Sequence, residues 1–210
     1  MNNPRLKRLT GAYTSLTQYT DKTVYPLTVG EVKKQLEIED SETAHDEFIQ
    51  NIIYAVTQAY EHDTQQQMTS ETWVMKLDQL SGDYFDLAHR PVASITHIKY
   101  YDSGNTLQTM STDIYALDGE TGGVPGGNSR VMLKYNEDWP DLADRWDAVE
   151  VRYVTGYGAT ASDVPQIHKQ AMLLMATLLF EHRGEPTSVN LKLGTAYEYL
   201  VTRFLRPSYP

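Results

Sequence analysis

Between Thr28 and Asp63 the apolar positions recur at helical spacing. Thr28 precedes Val29, Val32 and Leu36, with Glu31 three residues on. A threonine that takes the amide of the third helical residue, answered by a glutamate reaching back to the cap, predicts a short helix ending near Glu39. Ser41 then opens a longer helix, whose acidic first turn suits the positive end of the helix dipole. Phe48, Ile49, Ile52, Ile53, Val56 and Tyr60 form its apolar stripe, which fades between Asp63 and Met68.

From Thr72 the period changes to two. Thr72 to Leu80 alternates, with Trp73, Met75 and Leu77 on one side. Further strands are expected at Tyr84 to Leu87, Ile95 to Tyr101, Ile114 to Leu117, Arg130 to Tyr135 and Val149 to Thr155. Ser81-Gly82-Asp83 and Asp102-Ser103-Gly104-Asn105 are turn signals between them, and the glycine-rich stretch from Gly119 to Asn128 reads as a loop.

Gly156 and Gly158 end the last strand. Ser162 or Asp163 caps a helix with Pro165 in its first turn. Ile167, Ala171, Leu174 and Leu178 make one stripe of it, but Met172, Leu173, Met175, Leu179 and Phe180 spread apolar surface over the rest. Arg183-Gly184-Glu185-Pro186 stops this helix, and a last one near Gly194 carries Ala196, Tyr197, Leu200, Val201 and Phe204. A helix apolar all round must be covered on more than one side. The first two helices, the sheet, the final helix and a neighbouring copy are all candidates.

These runs predict an α+β fold: a helical bundle of about four helices, with a small antiparallel β-sheet or sandwich inserted between the second and third helices. The matching divisions are an extended N-terminal arm over 1–27, a helical domain over 28–70 and 156–205, a β insertion over 71–155 and a C-terminal tail over 206–210.

Composition narrows what such a fold does. The 210 residues carry a formal charge of −10. Phosphate binding needs clustered Lys and Arg, so general affinity for nucleic acid is excluded, and only Arg5, Lys7 and Arg8 make a short basic segment. Fifteen tyrosines against four phenylalanines favour rings at wet surfaces and interfaces over a dry core. With no cysteine, disulfides and thiolate metal sites are excluded and a reducing compartment is suitable. Ala171 to Phe180, the longest apolar run, is about half a membrane span, and no signal-peptide pattern opens the chain, so a soluble intracellular product is expected.

Candidate chemistry is sparse. His168 and His182 lie fourteen residues apart on one helix, about 21 Å at 1.5 Å per residue, and cannot share a metal. His45, His62, His89 and His97 have no ligand spacing. The loop from Gly119 to Gly127 lacks the Lys-Ser/Thr and following helix of a phosphate cradle. Asp138, Asp141, Asp144 and Asp147 lack the glycine and final glutamate of an EF-hand loop. No nucleophile elbow is present. The expectation is no catalytic residue, no metal and no cofactor.

The order of elements carries more information. "YPLTVGEVKKQLEI", "DEFIQNIIYAVTQAYEHDT", "TSETWVMKLDQL", "HRPVASITHIKYYDSGN" and "VEVRYVTGYGATASDVPQIHKQAMLLMATLLFEHR" follow one another. Over about residues 25 to 205 this succession resembles the tailed-bacteriophage head–tail connector family, also called head-completion or adaptor proteins, in its subgroup with a β insertion. The resemblance implies a structural virion protein at the head–tail junction, made in the host cytoplasm. It implies a self-assembled ring, usually of twelve copies, under the portal protein. Such a ring extends the DNA channel, passes genomic DNA without reading it, and offers an attachment site to a tail or neck component such as a stopper or tail-completion protein.

By position the resemblance makes Phe204, Leu205, Arg206, Pro207, Tyr209 and Pro210 the portal-contact candidates. Gly122, Gly123, Val124, Pro125, Gly126 and Gly127 are loop candidates for tail contact. Met172, Leu173, Met175, Leu179 and Phe180 are candidates for the core or for an inter-subunit contact. No membrane partner is implied. The alternatives are another neck or tail-completion protein, and a small intracellular enzyme or ligand-binding module built on the β segment.

Overall fold

The computed structural model describes residues 13–118 and 129–182 together with Leu200. The elements run β1 (Ser15–Gln18), α1 (Val29–Gln35), α2 (Asp46–Thr64), β2 (Glu71–Leu77), β3 (Tyr84–Asp86), β4 (Val92–Tyr101), β5 (Leu107–Thr109), β6 (Tyr115–Asp118), β7 (Arg130–Leu133), β8 (Val149–Thr155), a 3-10 turn (Ala161–Asp163) and α3 (Gln166–Glu181). They fall into two compact units. One takes in Lys22–Ser70 and the chain from Gly156; the other takes in the chain up to Asp21, with Glu71–Glu120 and Asn128–Thr155.

In the β unit a five-stranded antiparallel sheet has the order β1-β2-β8-β4-β5, and a three-stranded one has the order β3-β7-β6. Strand β8 sets the register. Val149, Val151, Tyr153 and Thr155 are buried, whereas Glu150, Arg152 and Val154 between them are half-exposed. Met75, Val151 and Ile98 align across three strands. They join Phe85, Tyr115 and Val131 from the smaller sheet in one core. Full burial of each such aliphatic side chain stabilises by about 1.5–3 kcal/mol. The Tyr153 hydroxyl is satisfied inside this core by donating to the Ala88 carbonyl at 2.6 Å, and burial holds the phenol above its ordinary pKa. All three tryptophans belong to this unit: Trp73 lies against His89, the Trp139 indole N–H donates to the Gly82 carbonyl at 2.8 Å, and Trp146 is 67% exposed.

The helical unit has a separate core of Leu27, Val32, Ile49, Ile53, Val56, Tyr60, Met68, Ala171, Met172 and Ala176. Helix α1 starts at Thr28 through a full capping box, with Thr28 N–H donating to Glu31 Oε2 at 2.8 Å and Glu31 N–H donating to Thr28 Oγ1 at 3.2 Å.

The expected four-helix bundle with an inserted sheet is not what forms. The fold is rich in β-structure, with eight strands in two antiparallel sheets and three α-helices among the described residues. The sheet is not wholly an insertion, because its edge strand β1 precedes α1 and pairs with β2 from Ser15↔Lys76 to Gln18↔Trp73. Ser-Leu-Thr-Gln has almost no apolar content to show a period; the β2 ladder supplies its order. The last helix expected near Gly194 falls outside the described residues except for Leu200, which is helical and packs on the helical core.

Boundaries also move for local reasons. Helix α2 begins at Asp46, not Ser41, since Glu42 folds its carboxylate onto the Ala44 amide at 3.0 Å, a side-chain turn that competes with helix. Asp163 caps the 3-10 turn instead of α3, accepting from Thr160 N–H at 2.8 Å. Val164 is extended, as the residue before a proline must be, so α3 starts only after Pro165.

The Thr155-Gly156-Tyr157-Gly158 passage is tightly constrained. Gly156 has φ +102°, and a Cβ there would lie 2.3 Å from the Thr69 carbonyl oxygen. At Gly158 a Cβ would lie 2.4 Å from the Asp163 side chain. Gly156→Ala is expected to lower stability by at least about 2 kcal/mol in denaturant titration. Gly30→Ala, whose Cβ meets nothing within 4 Å on α1, should be neutral or raise it by about 0.5–1 kcal/mol.

Candidate assembly surfaces

Helix α3 carries two polar side chains into the helical core, His168 and Lys169, 1% and 5% exposed. Each has partners. His168 Nδ1 lies 2.8 Å from the Tyr60 hydroxyl and Nε2 lies 2.8 Å from the Tyr157 hydroxyl. Tyr157 donates its proton to Gln66 Oε1 at 2.9 Å, so it must accept from Nε2–H. The imidazole is then the neutral Nε2–H tautomer, accepting from Tyr60, and every group in the chain Tyr60–His168–Tyr157–Gln66 is satisfied. Burial depresses the His168 pKa to about 4.

Lys169 Nζ lies 2.8 Å from Glu31 Oε1, the oxygen the capping box leaves over. Burial works against ionisation of Glu31, but the hydrogen bonds from Lys169 and Thr28 outweigh it and hold the carboxyl below its ordinary pKa. Two more cations are tied down in this unit. Lys33 pairs with Asp46 at 2.5 Å, and Lys22 pairs with Glu61, whose other work is to accept the Met68 amide at 2.8 Å. Sequence reasoning missed all of these. The only signal was a lysine on α3 just ahead of its apolar run, one turn before Met172.

The inter-subunit or core candidates divide. Met172 and Met175 are buried in the core, Leu173 and Phe180 are half-buried against it, and Leu179 is 37% exposed. Phe180 lies edge-on to His45 and beside Phe48. Ile167, Leu174 and Leu178, a line along the opposite flank, are half-buried and stand outside that core. The portal candidates Phe204, Leu205, Arg206, Pro207, Tyr209 and Pro210, and the loop candidates Gly122, Gly123, Val124, Pro125, Gly126 and Gly127, lie outside the described residues. Among the described residues no group of three His, Asp or Glu is placed to share a metal ion, and no helix is long and apolar enough to cross a membrane.

The depressed pKa of His168 fixes a sign. Between pH 6.5 and about 4 the unfolded chain holds a proton on this ring that the folded chain does not. Its contribution is therefore nil above 6.5 and turns destabilising as pH falls, by about 1.4 kcal/mol per unit. Denaturant midpoints followed by far-UV ellipticity should fall between pH 6.5 and 5, and His168→Gln should fall less steeply over the same interval.

Neither a known family model nor a curated protein sequence matches the chain. Solved structures do. A chain from the neck of an empty gene transfer agent (GTA) particle, computed with C6 symmetry, superposes with a TM-score of 0.73 at 20% identity, covering 94% of this chain and 98% of that one. A chain from the virion of the native GTA particle gives 0.72 at 20% identity, over 93% and 97%. One from the neck of the native particle, computed with C12 symmetry, gives 0.70 at 20% identity, over 94% and 98%. The chain has the fold of these particle components along nearly its whole length.

Proposed function

We propose that this chain is a structural, non-catalytic component of the neck of a tailed-phage-like particle. In that reading it is an adaptor that forms a ring under the portal, extends the DNA channel and provides the tail attachment site. The observation that carries the reading is the fold shared, over 94% of this chain, with chains of particles whose necks were computed with C6 and C12 symmetry. A ring of twelve is the copy number it favours. The protein is made in the host cytoplasm and ends in the virion.

Physical chemistry supports a ring in two ways. A cyclic assembly joins unlike surfaces of successive copies, and the Ile167–Leu174–Leu178 flank of α3 offers apolar surface that the helical core does not use. An acidic chain of charge −10 lets DNA pass through a lumen without adhering. Phe204, Leu205, Arg206, Pro207, Tyr209 and Pro210 are the portal contact in this reading, the prolines limiting the entropy lost on docking. Gly122 to Gly127 then meet the next tail or neck component.

Portal rings, or particles lacking their neck, mixed with the purified chain and imaged should gain one added tier of density. A wild-type chain that adds no density and never self-associates would sink the proposal. Leu174→Gln/Leu178→Gln should abolish the added tier while the free chain still folds by far-UV ellipticity, at a cost of about 1–3 kcal/mol from the half-buried side chains. Met172→Ala should instead lose about 2–5 kcal/mol of stability through the cavity it opens.

A further inference from the structure

We propose that a cationic groove on the β unit, built around Lys99 and Arg145, receives the acidic α1–α2 connection, residues 37–47, of a second copy of this chain. The proposal rests on the ring reading and names one of its contacts.

The groove has a volume of about 290 Å³ and is lined by Lys76, Lys99, Tyr101, Arg145, Asp147 and Glu150, with Leu107 at its rim, half exposed. Its carboxylates are already answered. Asp147 accepts from the Thr14 hydroxyl at 2.6 Å and lies 3.7 Å from Lys76, and Glu150 faces His97 at 3.4 Å. Lys99 and Arg145 are not: among the described residues neither has a salt bridge. Arg145 is nevertheless held in place, by neutral groups only. Its guanidinium stacks over Tyr101 at 3.7 Å, Nε donates to the Trp146 carbonyl at 3.2 Å and Nη1 to Asn105 Oδ1 at 3.2 Å. A planar cation fixed this way keeps further N–H donors ready for a carboxylate without new ordering cost.

The occupant is chosen by charge. From Gln35 to Glu47 the chain has six carboxylates and no Lys or Arg. Among the described residues only Asp46 of these is engaged by a cation, Lys33. Glu37, Glu39, Asp40, Glu42 and Glu47 are exposed. The backbone beneath them is braced, since Lys33 Nζ donates to the Asp40 carbonyl at 3.3 Å and the Glu42 amide to the Glu39 carbonyl at 3.0 Å. Groove and acidic run belong to different units, so they are the unlike surfaces that a head-to-tail contact joins. Nucleic acid is the poorer match, because two cations without an ion-pair partner among the described residues fall short of the clustered Lys and Arg that phosphate binding needs.

Two double variants of the full chain test the contact: Lys99→Glu/Arg145→Glu and Glu39→Lys/Asp40→Lys. Association is read by sedimentation of the free chain and by the added tier on portal rings. Each variant alone should associate at least about tenfold more weakly than wild type at 0.1 M salt. An equimolar mixture of the two should recover wild-type association, since each reversed groove then meets a reversed acidic run; neither a folding defect nor general repulsion gives that rescue. Wild type that associates while both variants match it overturns the contact and leaves the ring reading standing. Loss in both variants with no recovery on mixing also overturns the contact, as does a groove variant that loses only retention of double-stranded DNA. Wild type that associates in neither setting overturns the ring reading and the contact together.

Discussion

An imidazole and an ammonium group set into an apolar helical core each cost several kcal/mol unless they are met by partners. Helix α3 is held to one rotation and one depth by this requirement. His168 must reach Tyr60 and Tyr157 at once, while Lys169, its neighbour in sequence, must reach Glu31. Apolar contacts alone would tolerate a helix that is greasy on several sides in many rotations. Polar partners at two adjacent positions single out the one that buries Met172, Met175 and Ala176 and turns Ile167, Leu174 and Leu178 away from that core.

Glu31 gives the same constraint a second effect. One carboxylate oxygen closes the N-terminus of α1, and the other holds Lys169 on α3. The start of a seven-residue helix is thereby coupled to the placement of another helix, which helps a segment too short to be stable alone. In the β unit the equivalent task falls to side-chain alternation along β8, where a shift of one residue would exchange Val151 and Tyr153 for Arg152 and Val154.

Much of this was legible in the residues. The capping box at Thr28, the stripe from Ile49 to Tyr60, the strand at Val149–Thr155 and the glycines at 156 and 158 each announce local physics that the fold keeps. What could not be read is non-local. Ser15–Gln18 is a strand only because β2 lies beside it. The balance of helix to sheet is misread for that reason, and because a three-residue strand such as β5 is shorter than one period-two signal. The pairing of Lys169 with Glu31, 138 positions apart, leaves no trace in spacing. On α3, residue type marks the helix as unusual but does not separate the buried Met172 and Met175 from the half-buried Leu174 and Leu178. The groove around Arg145 was invisible, because its walls come from β2, β4, β5, β8 and the loop before β8.

The tryptophans described above all reside in the sheet-bearing half of the chain, and none in the helical half. Intrinsic indole emission is therefore a reporter of one half only. If the two halves melt separately, emission and ellipticity at 222 nm will give different midpoints, and neither is then a stability of the whole molecule. Trp146, largely open to solvent and next in sequence to Arg145, adds a convenience: its emission will move to shorter wavelength when something covers it, without any label being introduced.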